Sequence, residues 1–172
     1  MSHPSLFRRR FSCRAFTTEP LTPAEIEALV EATVWAPSAG NLQPWRFLVV
    51  SDRTLRQALA RAAYEQRFVA DAPVVFVVCA VPEESARRYG DRGRTLYCLQ
   101  DTAAAVENLL LAATDLGLGS CWVGAFDEAG AARVLLLPTS WLPVALVPVG
   151  HPAEEPGRRR RKPAQEVVLY RG

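Results

Sequence analysis

The chain is poor in the residues from which metal and disulfide sites are built. It holds two histidines, His3 and His151, and one methionine in 172 residues. Neither histidine is spaced with a cysteine pair, which argues against a zinc site. Cys13, Cys79, Cys98 and Cys121 are scattered, with no Cys-x-x-Cys among them. That pattern points to reduced, mostly buried thiols and a cytoplasmic protein. No apolar run approaches the ~18 residues of a membrane span. No apolar signal core follows the N-terminal charges, so no export signal is expected. A formal net charge of +2 is too small to imply that the whole chain binds nucleic acid. There is no internal repeat and no Gly-x-Gly-x-x-Gly turn.

What is present is apolar sequence, 49% of the residues, enough for a sizeable core. The length predicts one domain over residues 1–172. Thr22 and Glu25 form a capping-box pattern with Pro23 at the first helical position, predicting a helix through Ile26, Leu29, Val30 and Val34. Strand-like runs follow at 46–51, 74–80 and 144–150, the second apolar throughout and so covered on both faces. A helix is expected over 53–64, and a loop or mobile helical insert over 82–93. A long helix over about 96–116 is apolar around most of its circumference, the mark of a buried helix, often one packed on a partner. A short strand is expected at 121–123, a helix N-capped by Asp127, and a last strand at 167–170.

Two stretches carry chemistry. In Ala36-Pro37-Ser38-Ala39-Gly40-Asn41-Leu42-Gln43-Pro44-Trp45 the prolines restrict both ends, and Gly40 permits a backbone shape that other residues resist. The result is a stiff loop offering Ser38, Asn41 and Gln43 to a flat polar ligand. An irregular turn is the competing reading. In Arg8-Arg9-Arg10-Phe11-Ser12-Cys13-Arg14-Ala15-Phe16, arginines and a hydroxyl alternate with aromatics that favour burial, a pattern suited to phosphate. Composition alone also allows a basic arm for nucleic acid.

Together these residues resemble the nitroreductase family of flavin mononucleotide (FMN) oxidoreductases. Arg10, Ser12, Arg14 and Phe16 match its opening element. Pro37, Ser38, Asn41, Gln43, Pro44 and Trp45 match the loop after the first helix. Gly117, Leu118, Gly119, Trp122, Gly124, Phe126 and Asp127 match a later segment, and Arg161, Lys162 and Pro163 match the closing one. One departure is Phe11, where many members carry a basic residue or histidine. Only its backbone is then expected to serve.

The resemblance implies an α+β fold: a three-layer sandwich whose central mixed, mainly antiparallel sheet is flanked by helices. It also implies a homodimer in which residues 152–172 form an arm that crosses to the partner and adds a strand to its sheet. A surface tail without fixed structure is the competing reading of that arm. By the same resemblance, Arg10, Ser12 and Arg161 hold the FMN phosphate, with Phe11 alongside, and Asn41 meets the pyrimidine edge. Arg14 and Arg67 stand near N1/O2, where a cation favours the reduced ring. For Arg67 a solvated helix-end arginine is the commoner case. Gly124 and Ala125 approach N5/O4, Pro37 and Ser38 meet the flavin from one subunit, and Gln43 reaches it across the interface. No side chain is assigned as catalytic and none as a metal ligand. The implied activity is ping-pong hydride transfer from NADH or NADPH through FMN to a small-molecule electron acceptor such as a nitroaromatic or quinone. No membrane or nucleic-acid partner is implied, and nothing in the chain chooses between the two nicotinamides. Flavin fragmentation, dehalogenation and azoline oxidation on the same fold are alternatives. So is a colourless protein whose arginine runs bind nucleic acid. Tyr89, Arg92 and Tyr97 stand either beside the acceptor or as ordinary interface residues.

Overall fold

The structure is a computed structural model in which residues 4–157 and 160–172 are described. His3, Arg158 and Arg159, named in the sequence readings, lie outside them.

Four strands form one sheet in the order β1-β2-β4-β3: β1 (Trp45–Val50), β2 (Val74–Ala80), β3 (Gly119–Ser120) and β4 (Leu142–Gly150). All three pairings are antiparallel. Among the described residues the single parallel feature is a bridge from Ser12 to Ser120, so the expected mixed character comes from the N-terminal segment rather than from a named strand. Every residue of β2 is buried, as an uninterrupted apolar run between two covered faces requires. On one face Leu29 of α2 (Pro23–Val34) and Val106, Leu109 and Ala113 of the long helix (Cys98–Asp115) pack on Phe76, Val78 and Val147. On the other, Leu59, Val69, Phe126 and Ala131 pack on Val75, Val77, Cys79 and Leu146.

The capping box is formed: the Thr22 hydroxyl accepts from the Glu25 N–H, and Glu25 accepts from the Thr22 N–H at 2.7 Å. The helix expected over 53–64 spans Arg53–Ala62 and stops there, because Tyr64 and Glu65 take positive φ. The insert is helical, Pro82–Arg92, kinked where Gly90 leaves helical geometry. It joins the long helix through a wider turn over Gly93–Tyr97. Strand pairing near 121–123 begins earlier, at Gly119, and Val123 keeps only a bridge to Leu146. Asp127 occupies the N-cap position of Glu128–Val134 without capping it through its side chain. Among the described residues three short α-helices have no sequence-derived counterpart, Pro4–Arg9, Phe68–Asp71 and Ala164–Val167. The last expected strand is not formed in the single chain. Ala164–Val167 makes one helical turn, and Leu169 and Tyr170 are 81% and 93% exposed. A lone edge segment with no neighbouring strand has nothing to pair its backbone with.

Candidate functional site

The candidate residues gather at two corners of the sheet. The first corner is made by long-range backbone pairing. The Cys13 N–H donates to Ser120 O at 2.9 Å, Thr17 N–H to His151 O at 2.9 Å, and Ala153 N–H to Ala15 O at 2.8 Å. The segment from Ser12 to Thr17 is thereby laid between β3 and the chain leaving β4. Glu154 accepts from the backbone N–H groups of Arg14 and Ala15, and the Arg14 bond foremost holds its carboxyl below the usual range.

Arg10, Ser12 and Arg14 all act on Cys121. Burial pushes that thiol up, while the Arg14 charge, a hydrogen bond with Ser12 and the Arg10 charge pull the other way. Arg10 and Arg161 line one cavity of about 280 Å³ with Phe7, Arg8, Pro156 and Gly157. Arg10 also lies 4.0 Å from Glu107 on the long helix. Phe11 is half-buried between Arg10 and Ser12. The Arg14 guanidinium stands 5.7 Å over the ring of Phe68, at the start of the short helix that Arg67, itself exposed, precedes. Gln66 donates to Ala125 O at 3.0 Å and so fixes the Gly124–Ala125 backbone. A Cβ added at Gly124 would meet nothing within 4 Å, so this backbone faces open space.

The second corner is the Pro37–Trp45 loop. Ala39–Asn41 form one 3-10 turn, with Gly40 at φ 58, Asn41 at φ 56 and Gln43 at φ 51. Left-handed backbone is disfavoured for non-glycine residues and persists where the surroundings over-determine it. Here the Ser38 hydroxyl accepts from the Gln43 N–H at 3.0 Å, and the Gln43 side chain donates to Asn41 O and Oδ1 at 3.3 and 3.4 Å. In the single chain Gln43 therefore braces Asn41. Pro37 and Ser38 lead into the turn. The Ala39 N–H donates to Asp101 Oδ1 at 2.9 Å, and Val81 N–H donates to Pro44 O at 2.8 Å. Asp101 is 6% exposed; its Oδ2 has no hydrogen-bond partner among the described residues, and burial raises its pKa.

Trp45 pairs with Ala80, and Ala80 with Leu142, whereas Gly119 pairs with Gly150. The two corners thus occupy opposite edges of the sheet and opposite ends of its strands. Arg10, Ser12, Arg14, Gly124, Ala125 and Arg161 belong to one, and Pro37, Ser38, Asn41 and Gln43 to the other. Three residues that position these groups were not found from sequence: Gln66, Asp101 and Glu154. Only Asp101 carried a signal, as an acid beside the apolar run 103–105 of the long helix.

All four cysteines are free and buried, and burial raises Cys13 to about 11 and Cys79 to about 12. Among the described residues there is no cluster able to hold a metal ion and no helix long and apolar enough to cross a membrane.

The sequence profile of the nitroreductase family matches residues 7–66 and 60–151. A putative NADH dehydrogenase/NAD(P)H nitroreductase of Archaeoglobus fulgidus is 36% identical over 87% of this chain and 84% of its own length. An FMN reductase (NADPH) of Bacillus subtilis is 31% identical over 91% of this chain and 68% of its own. The nitroreductase family protein of Streptococcus pneumoniae superposes with a TM-score of 0.89 at 26% identity, covering 99% of this chain and all of the other. With the profile spanning most of the chain, and the sheet and helices superposing along nearly its whole length, the chain belongs to the nitroreductase family.

Proposed function

We propose that the protein is an NAD(P)H-dependent FMN oxidoreductase, acting as a homodimer with the flavin in the subunit interface. The observation that carries this reading is the separation of the two corners. Each offers half of a flavin site, and a two-fold axis brings one subunit's loop to the other's arginine corner. The donor sets fit the cofactor. Arg10, Ser12 and Arg161 suit a phosphate dianion through charge-assisted hydrogen bonds, with the Phe11 backbone beside them. Asn41 offers donor and acceptor to the ring edge, with Pro37 and Ser38 before it and Gln43 behind it. Arg14 and Arg67 supply positive charge where reduction adds negative charge, and the open backbone of Gly124 and Ala125 lets a flat ring approach closely.

When bound, FMN supplies hydride chemistry that no side chain of this chain provides. The chain's own part is to hold, orient and electrostatically bias the ring. In this reading nicotinamide and then a nitroaromatic or quinone use one pocket in turn, in ping-pong fashion. The whole chain acts as one domain, and residues 152–172 cross to the partner's sheet. Uncovered apolar surface supports the dimer: Trp35 is 77% exposed at the end of α2, and Leu99 and the arm residues Leu169 and Tyr170 are exposed as well. The reduced, buried thiols fit a cytoplasmic setting.

The test is absorbance of the purified protein, followed by anaerobic addition of NADH or NADPH. A flavin spectrum that bleaches with nicotinamide and recovers with a quinone is expected. A colourless protein whose affinity for nucleic acid falls steeply with salt would replace this reading with the nucleic-acid one.

A further inference from the structure

Beside the Pro37–Trp45 loop stands a cluster of cations and aromatics that the flavin contacts leave unused. Arg88 lies 5.5 Å over the ring of Tyr89 and Arg92 5.3 Å over that of Tyr97. The two tyrosines meet edge to face at 5.2 Å, and Arg92 Nε donates to the Tyr97 hydroxyl at 2.9 Å. The cluster touches the loop directly. A Cβ at Gly40 would fall 2.5 Å from the Tyr89 hydroxyl and 2.9 Å from an Arg88 nitrogen, so any larger residue there would push the tips of both side chains aside. Its platform is stiffened by close helix packing, since a Cβ at Gly93 would fall 2.5 Å from Ser85 O.

The charge balance of the same helix is uneven. Arg94 takes Glu83 and Asp91, and Arg46 takes Glu84. Among the described residues Arg88 and Arg92 are left without a carboxylate partner. Both are exposed, while Tyr89 and Tyr97 are half-buried. An arginine held over an aromatic face, with guanidinium N–H groups still directed to solvent, suits an anion carried on a ring.

We infer that Arg88, Tyr89, Arg92 and Tyr97 form the specificity surface for an anionic aromatic substrate, the ring lying on the tyrosines and a phosphate or carboxylate reaching the arginines. The inference rests on the flavin reading above, which puts the loop, and so this surface, beside the redox centre. The anion has two sources. It is the extra phosphate of NADPH relative to NADH, or a carboxylate on the acceptor. One arm of the test measures calorimetric binding of NADP+ against NAD+ to the oxidised flavoprotein. The other measures 4-nitrobenzoate against 4-nitrobenzamide in the same way.

In at least one pair the more anionic ligand should bind about tenfold tighter, the size of one charge-assisted contact. Arg88→Gln/Arg92→Gln should erase that ratio, and Arg92→Glu should invert it, with the flavin content per chain unchanged. Equal binding within both pairs, or a preference that survives the double substitution, overturns the inference. Failure of the flavin reading itself registers separately, as protein purified without flavin absorbance.

Discussion

The two corners of the candidate site are built by opposite means. The loop corner is local: within nine residues two prolines, a glycine, a serine and an asparagine set its backbone, and one buried carboxylate, Asp101, ties it to the long helix. The arginine corner is non-local. Its backbone is held by partners more than 100 residues away, Ser120, His151 and Glu154, and its second phosphate candidate comes from the other end of the chain. A local site depends on a few anchors and a non-local one on the integrity of the whole fold. Substitutions at the two corners should therefore fail differently.

The largest effect is expected from removing residues 160–172. Truncation takes away Arg161 and the exposed apolar arm together, so flavin and dimer should be lost in one step. An obligate interface of more than ~2,000 Å² leaves no room for a stable monomer once a crossing segment is gone. Sedimentation of the truncated protein checks this, and a yellow, active monomer would break the proposal that the site lies between subunits.

Next in size is Arg10→Ala. It removes a charged partner of a dianion from a partly enclosed cavity, a loss of about 2–5 kcal/mol in cofactor affinity with fold stability little changed. Flavin content after gel filtration reads the effect directly. Arg10 also neighbours Glu107, so Glu107→Gln should shift flavin affinity the other way if carboxylate and phosphate compete for the same guanidinium.

The smallest effect belongs to the anchor of the loop. Asp101→Leu leaves the Ala39 N–H unpaired, at a cost of roughly 1–3 kcal/mol in stability. Asp101→Asn keeps an acceptor and should cost less. Burial raises the Asp101 pKa in the folded chain. Its contribution is thus fully present below the unfolded carboxylate value and is lost as pH rises through the folded value. Chemical denaturation from acid to neutral pH should show this slope in the wild type and its loss in Asp101→Asn. A slope that persists would assign the titration elsewhere.

Much of the fold was legible because local physics agrees with it. The bounds of β2 follow from an unbroken apolar run, and the start of α2 from the Thr22–Glu25 capping box. The helix at Pro4–Arg9 was obscured by its arginines, which read as an anion-binding stretch, and Phe68–Asp71 is too short for a periodic signal. The strand expected at 167–170 has the right composition, but pairing needs a neighbour that the single chain does not supply. Gln66 gave no sign of its role, because its bond to Ala125 O spans 59 residues and a glutamine at a helix end looks like any other surface residue.

The residues themselves determined the chemistry available to this protein. Arginines with a hydroxyl suit a phosphate, and a stiff amide-bearing loop suits a ring edge, since charge and hydrogen-bonding capacity belong to the side chain wherever it sits. Only the tertiary structure decided which of these groups meet. Antiparallel pairing put Trp45 and Gly119 at opposite corners of one sheet, and the fold set Arg161 on the cavity that Arg10 lines. Those distances depend on register and long-range closure, which no local pattern encodes.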